Sequence, residues 1–184
     1  NLIEQSISRR GLTVLSWRVV PVDDQALGNQ ALKTMPDIRQ VIIGRPNGMD
    51  LSGFQRALYL VRKNLELIQE KENLKKFHIV SMSNTTLVYK GLVAATQLSN
   101  FYMDLNDSDY ETSLAIFHQR YSTNTLPNWT LAQPFRFLAH NGEINTLQGN
   151  RNWIKAREIE LVSSVWGDDV GRLSPIITEG GSDS

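Results

Sequence analysis

The sequence predicts an α+β fold, with strands and helices in separate blocks. Three observations carry that prediction. Short β-branched runs of strand length outnumber the helical stretches, two long stretches repeat apolar residues every three or four positions, and turn dipeptides separate the blocks. At 184 residues the chain is long enough for one substantial domain with its own core.

Residues 11–20 (GLTVLSWRVV) are β-branched-rich and stop at Pro21, as a strand does. The next dozen residues, with Asp23-Asp24 and Gly28-Asn29, read as loop or short helix. Residues 38–44 (IRQVIIG) form a second strand, closed by the turn signal Pro46-Asn47-Gly48. The clearest helix spans 54–73. Phe54, Ala57, Leu58, Val61, Leu65 and Ile68 fall on one face, Arg56, Arg62, Lys63, Glu66 and Glu70 lie elsewhere, and Ser52 is placed to cap it. Residues 77–83 and 86–90 read as strands of a hairpin around Asn84-Thr85, and 93–103 as a single helix. A polar loop at 104–109 leads to a buried-type strand at 113–118. The stretch 120–134, rich in Asn, Thr and Pro, has no period, and loops of that length are usually functional. A strand at 135–140 turns at Asn141-Gly142 into a helix over 145–162, whose Trp153 face is expected in the core. The remainder is loop, with a short strand near Ile176.

Lys plus Arg and Asp plus Glu are 19 each, so no net charge is available for broad binding to nucleic acid or an anionic membrane. The chain contains no cysteine, which excludes disulfides, zinc–thiolate sites, iron–sulfur ligation and a cysteine nucleophile within these residues. His78, His118 and His140 lack any metal-binding spacing, and there is no glycine-rich phosphate loop. No apolar run has the length of a membrane span. The start at Asn1 lacks a methionine or a targeting pattern, and the chain stops in a turn-like run, so both ends read as cut.

Three stretches offer chemistry. In FHQRYSTNT, Arg120 opens the polar loop, and its planar fork of donors suits a carboxylate. From composition alone, a surface or structural salt-bridge role is the commoner one for such an arginine. In LAHNGEIN, Asn141 and Gly142 form an Asn-Gly step that is commonly only a tight turn. It also sets an amide side chain beside an exposed N–H, two donors able to face one oxyanion. In GGSDS, paired glycines permit a close backbone approach and Asp183 can accept from an ammonium group.

Taken in order, RYSTNT, AQPFRFLAHNGEINT and GNRNW resemble the glutaminase domain of glutamate synthases, and SRRGLTVLSWRVVPVD, IIGRP, HIVSMSNTTLVYKGL and FYMDL extend the resemblance over nearly the whole chain. It implies a four-layer αββα sandwich of the N-terminal-nucleophile hydrolase type, incomplete at its N-terminus, with residues 1–184 a partial class II glutamine amidotransferase domain. It further implies that Arg120 holds the α-carboxylate of glutamine with Thr123 beside it, that Asn141 and Gly142 form the oxyanion hole, and that Asp183 binds the α-ammonium. The family nucleophile is an N-terminal cysteine, so roughly a hundred upstream residues are expected and the 184 residues alone are expected to be inactive. By the same resemblance, ammonia passes to a synthase domain of the same chain for reductive amination of 2-oxoglutarate. FMN and an iron–sulfur cluster are expected there, none in these residues, with ferredoxin or an NAD(P)H-oxidising small subunit as donor. The implied compartment is the bacterial cytoplasm or the plastid stroma. Two other readings are a non-catalytic glutamine-binding module and a different class II enzyme, such as an amidophosphoribosyltransferase or asparagine synthetase.

Overall fold

The computed structural model describes residues 1–121, 126–135, 138 and 145–178. Its elements run α1 (Leu2–Ser8), β1 (Thr13–Val19), α2 (Asn29–Lys33), β2 (Arg39–Gly44), α3 (Leu51–Lys71), α4 (Leu98–Phe101) and α5 (Leu147–Glu158). Short 3-10 turns lie at Asp24–Ala26, Ala95–Gln97, Met103–Asn106 and Gly167–Arg172. Helix and sheet are both present, as the sequence predicts. The sheet among the described residues has two strands, β1 and β2, paired antiparallel from Thr13↔Gly44 to Val19↔Arg39 with an irregularity between Val14 and Ser16.

This ribbon joins two cores. At its start, Leu12 packs with Ile7 of α1 and with Phe54, Leu58, Val61 and Leu65 of α3. Val14, Val41 and Ile43 cover that cluster from the sheet side. At its end, Val20 packs with Ala31, Phe101, Tyr102 and Trp129 in a second cluster. The α3 helix begins two residues earlier than Ser52 suggests. Asp50 is the cap, its Oδ1 accepting from the Gly53 N–H at 2.8 Å. The helix ends at Asn73, whose positive φ of 55° suits a left-handed stop. The small α1 helix, absent from the sequence reading, is capped by the Asn1 side chain and places Ile3 and Ile7 one turn apart toward α3.

Several expected elements take another form. Residues 77–83 and 86–90 make no ladder. Phe77, Ile79 and Met82 lean on the α3 core instead, so packing replaces pairing. Residues 113–118 form no strand and are exposed. Leu114 is 67% and Phe117 77% accessible, because no described strand lies alongside. The helix expected over 93–103 breaks into turns. Tyr102 is extended there, bridging Val22, while the Asp23 N–H reaches the Phe101 carbonyl at 2.9 Å. Tertiary pairing overrides local helical period at that point. Trp153 is 71% exposed and not core, since α5 buries none of its residues. Phe135 and Leu138 are in no strand and no strand forms at Ile176. Residues 136, 137, 139 and 140 lie outside the described residues.

The side of α3 away from the apolar core is also covered. Tyr59 meets Trp166 at 5.2 Å between ring centroids, Arg62 stacks over Tyr59 and pairs with Glu66 at 2.9 Å, and Lys63 donates to the Pro175 carbonyl. Burial pushes the Lys63 ammonium below the ordinary lysine range. The chain after α5 thus straps across α3, with Arg10, in the turn after α1, tying to Asp169 at 3.1 Å.

The two faces make opposite predictions for stability. Leu65 is fully buried and Leu15 is 64% exposed. Leu65→Ala is expected to cost about 2–5 kcal/mol in urea unfolding, and Leu15→Ala under about 0.5 kcal/mol. Equal losses would refute the placement of the first core on the α3 side of the ribbon.

Candidate functional site

Of the five residues singled out from the sequence, Arg120 lies within the described structure. Thr123, Asn141, Gly142 and Asp183 lie outside the described residues. Arg120 sits at a bend, exposed, with its backbone N–H donating to His118 Nδ1 at 3.0 Å. Its guanidinium makes no hydrogen bond or ion pair with a described residue. A planar fork without a described partner, at the mouth of a long loop, has the donor geometry that a carboxylate ligand needs.

The loop beyond Arg120 is anchored by side chains that the sequence reading did not single out. The Tyr121 hydroxyl donates to the Gly91 carbonyl at 2.9 Å, and burial pushes its pKa up to about 12, so it stays a donor at neutral pH. Asn128 closes a local turn, its Oδ1 accepting from the Leu131 N–H at 2.9 Å and the Thr130 hydroxyl at 2.7 Å. Trp129 is buried against Phe101 and donates from Nε1 to the Ala31 carbonyl at 3.2 Å. Lys90, only 6% exposed, donates to the Thr130 carbonyl at 2.7 Å. Nothing in the local sequence marks it beyond its place in the apolar run TLVYKGL.

Behind Lys90 stands a polar network that links the loop to the ribbon. Arg18 of β1 grips Asp104 with two guanidinium nitrogens, Nη1 at 2.8 Å from Oδ2, and also reaches Gln40 of β2 at 2.9 Å. The Tyr89 hydroxyl donates to the same Asp104 oxygen at 2.7 Å. Tyr102, its pKa pushed up to about 12 by burial, donates to the Lys90 carbonyl at 2.7 Å. The Arg18 fork, with help from Tyr89, outweighs burial and holds the Asp104 carboxyl below the usual carboxylate range.

Two cavities open elsewhere. One of about 330 Å³ is lined by Glu70, Lys155, Glu158, Pro175 and Ile177, and one of about 590 Å³ by Asn1–Ile3 and Asn73–Phe77. Arg120 lines neither. Among the described residues no three histidine or acidic side chains gather as a metal site requires, and no helix is long and apolar enough to cross a membrane.

A sequence-family model described as glutamine amidotransferases class-II matches residues 1–184. The chain belongs to the class-II glutamine amidotransferases. Its relatives include the glutamate synthase [NADPH] large chain of Azospirillum brasilense, 44% identical over all of this chain and 12% of that protein. Ferredoxin-dependent glutamate synthase 1, chloroplastic/mitochondrial, of Arabidopsis thaliana is 44% identical over the whole chain and 11% of its own length. Glutamate synthase [NADH] of Saccharomyces cerevisiae is 43% identical, again over the whole chain, and 9% of its own length is covered. The chain thus spans about a tenth of these relatives. Proteins named for three different electron donors are similar to it at 43–44% identity.

The network gives a pH prediction with a definite sign. A carboxyl whose folded pKa is depressed contributes stability that is present above its unfolded value, near 3.9, and is lost as pH falls through the folded one. The melting temperature is expected to fall more steeply below about pH 4 in the wild type than in Asp104→Asn. Parallel pH profiles for the two proteins would contradict the Arg18–Asp104–Tyr89 assignment.

Proposed function

We propose that these 184 residues are part of the glutaminase domain of a glutamate synthase, and that they bind glutamine and steady its tetrahedral intermediate. The observation that carries the reading is the family match over the whole chain, joined to 43–44% identity with synthases of every donor type named above. The Arg120 fork, which has no partner among the described residues, supports it locally.

In this reading Arg120 binds the α-carboxylate of glutamine, with Thr123 beside it, and Asp183 takes the α-ammonium. Those contacts orient the side-chain amide for attack. The attacking thiol belongs to an N-terminal cysteine, whose own α-amino group accepts the proton. Attack turns the amide carbonyl oxygen into an oxyanion, which the Asn141 amide and the Gly142 N–H stabilise. Collapse releases ammonia and leaves a thioester, and water then frees glutamate. No cysteine is present in these 184 residues, so the thioester step needs a thiol from outside them. The polypeptide by itself is therefore a glutamine-binding half-site.

The fold that this role calls for is a four-layer αββα sandwich. The ribbon supports it: Leu15 and Ile42, on the face of β1 and β2 turned away from the α3 core, are 64% and 44% exposed and offer apolar surface against which a second sheet can pack. Ammonia would pass to a synthase domain of the same chain, meet 2-oxoglutarate and be reduced into glutamate, with ferredoxin or an NAD(P)H-oxidising small subunit supplying electrons. FMN and an iron–sulfur cluster belong to that half, and these residues offer no thiolate to hold a cluster. Such an enzyme belongs in a bacterial cytoplasm or a plastid stroma.

The test is glutamine hydrolysis by the intact protein. Arg120→Ala is expected to raise KM for glutamine roughly 10–100-fold, the range of a lost charge-assisted hydrogen bond. Asn141→Ala is expected to lower kcat by about 10²–10³ with little change in KM, as for other oxyanion donors. The 184-residue polypeptide alone should bind glutamine weakly and turn over none. Normal kinetics in both variants would end the site assignment. An intact protein that binds glutamine yet never forms a thioester would favour a non-catalytic glutamine-binding module.

A further inference from the structure

The loop that begins after Arg120 has both of its described ends fastened to one dipeptide, Lys90-Gly91. At the near end Tyr121 donates to the Gly91 carbonyl at 2.9 Å. At the far end the Lys90 ammonium donates to the Thr130 carbonyl at 2.7 Å and stands 4.9 Å from the centre of the Phe135 ring. Trp129 lies flat enough on Gly91 that a Cβ built there would come within 2.9 Å of its Cζ3. Only glycine leaves room for that contact. The dipeptide is itself held from behind, by Tyr102 on the Lys90 carbonyl and by Asp104 on the neighbouring Tyr89.

Lys90 is 6% exposed, so its ammonium has given up most of its water. Burying a cation disfavours folding unless polar groups replace the lost hydration, and an apolar side chain of similar shape often serves stability as well. The use of a cation at this place lies in its directed bonds. A carbonyl acceptor on one side and an aromatic face on the other fix where residues 130 and 135 sit relative to the stem that starts at 120.

We propose that Lys90 is a positioning residue for glutamine binding: with Gly91 it sets the span of the 121–130 loop, and so the angle at which the Arg120 fork meets the substrate carboxylate. The inference rests on the role given to Arg120 above. Lys90 does not touch the substrate in it. The effect runs through Thr130, Phe135 and Tyr121 to the loop, and a loosened loop weakens the carboxylate grip more than the chemical step.

The experiment compares two substrates in the intact protein, glutamine and γ-aminobutyramide, which keeps the amide and the amine but has no carboxylate. Lys90→Met is expected to raise KM for glutamine about tenfold while kcat stays within about twofold, and to leave KM for γ-aminobutyramide unchanged. Placed in an Arg120→Ala background it should add no further loss, because the two act on one contact. Equal losses on both substrates, or additive losses with Arg120→Ala, overturn the proposal. If Arg120→Ala weakens glutamine binding and Lys90→Met does not, the Lys90 proposal alone falls. If Arg120→Ala has no effect, both readings fall. Tyr121→Phe removes one hydroxyl and is the gentler probe, expected to raise KM for glutamine about threefold. Should Lys90→Met not fold, an unchanged KM in Tyr121→Phe overturns the proposal by itself.

Discussion

The antiparallel pairing of β1 with β2 is the constraint on which the other contacts depend. It is the one ladder among the described residues, and its two ends feed different cores: Leu12 enters the α1–α3 cluster and Val20 the cluster around Phe101 and Trp129. Side chains on the ribbon then reach outward. Arg18 leaves β1 to grip Asp104, which holds Tyr89, which precedes the lysine that anchors the loop after Arg120. A slip of one residue in the ribbon would turn Arg18 to the opposite face and break that chain of contacts at its first link.

Two buried lysines do comparable work in different places. Lys63 on α3 donates to the Pro175 carbonyl, ahead of the segment that includes Asp183, and Lys90 donates to the Thr130 carbonyl, within the loop that follows Arg120. Both use an ammonium on a packed support to hold the main chain of an irregular segment. Loops lack ladders of their own, so their backbone acceptors must be met by side chains if the loop is to keep one shape. The pattern explains why positions that look merely cationic in sequence are among the less exposed in the structure.

How far the sequence could be read follows from this. The α3 helix was legible because six apolar residues share one face and the packing agrees with the period, and only its cap was misplaced, at Ser52 instead of Asp50. The β1 and β2 strands were legible because their runs are β-branched and bounded by turn residues. Residues 77–83 and 113–118 have equally strand-like composition, but a strand is a relation between two segments, and composition does not say whether a neighbour is there. Trp153 was expected in the core because it is large and apolar, which describes a tendency and not a place. In the candidate site, Arg120 stood out by its chemistry at the mouth of a long loop. Asn141, Gly142 and Asp183 gained meaning only from the order of motifs along the chain. Lys90 and Gly91 stayed hidden because a hydrogen bond to a carbonyl 40 residues away leaves no mark in local sequence.

The bare side of the ribbon has a thermodynamic consequence. Two strands are marginal in water by themselves, and here Leu15 and Ile42 lie exposed on the face turned away from the α3 core. Any apolar body that settles on that side binds the folded form and not the unfolded one, and mass action converts its presence into apparent stability. A melting temperature recorded for this polypeptide is therefore a joint property of the chain, its concentration and its neighbours, and it becomes a constant of the molecule only once that side is covered.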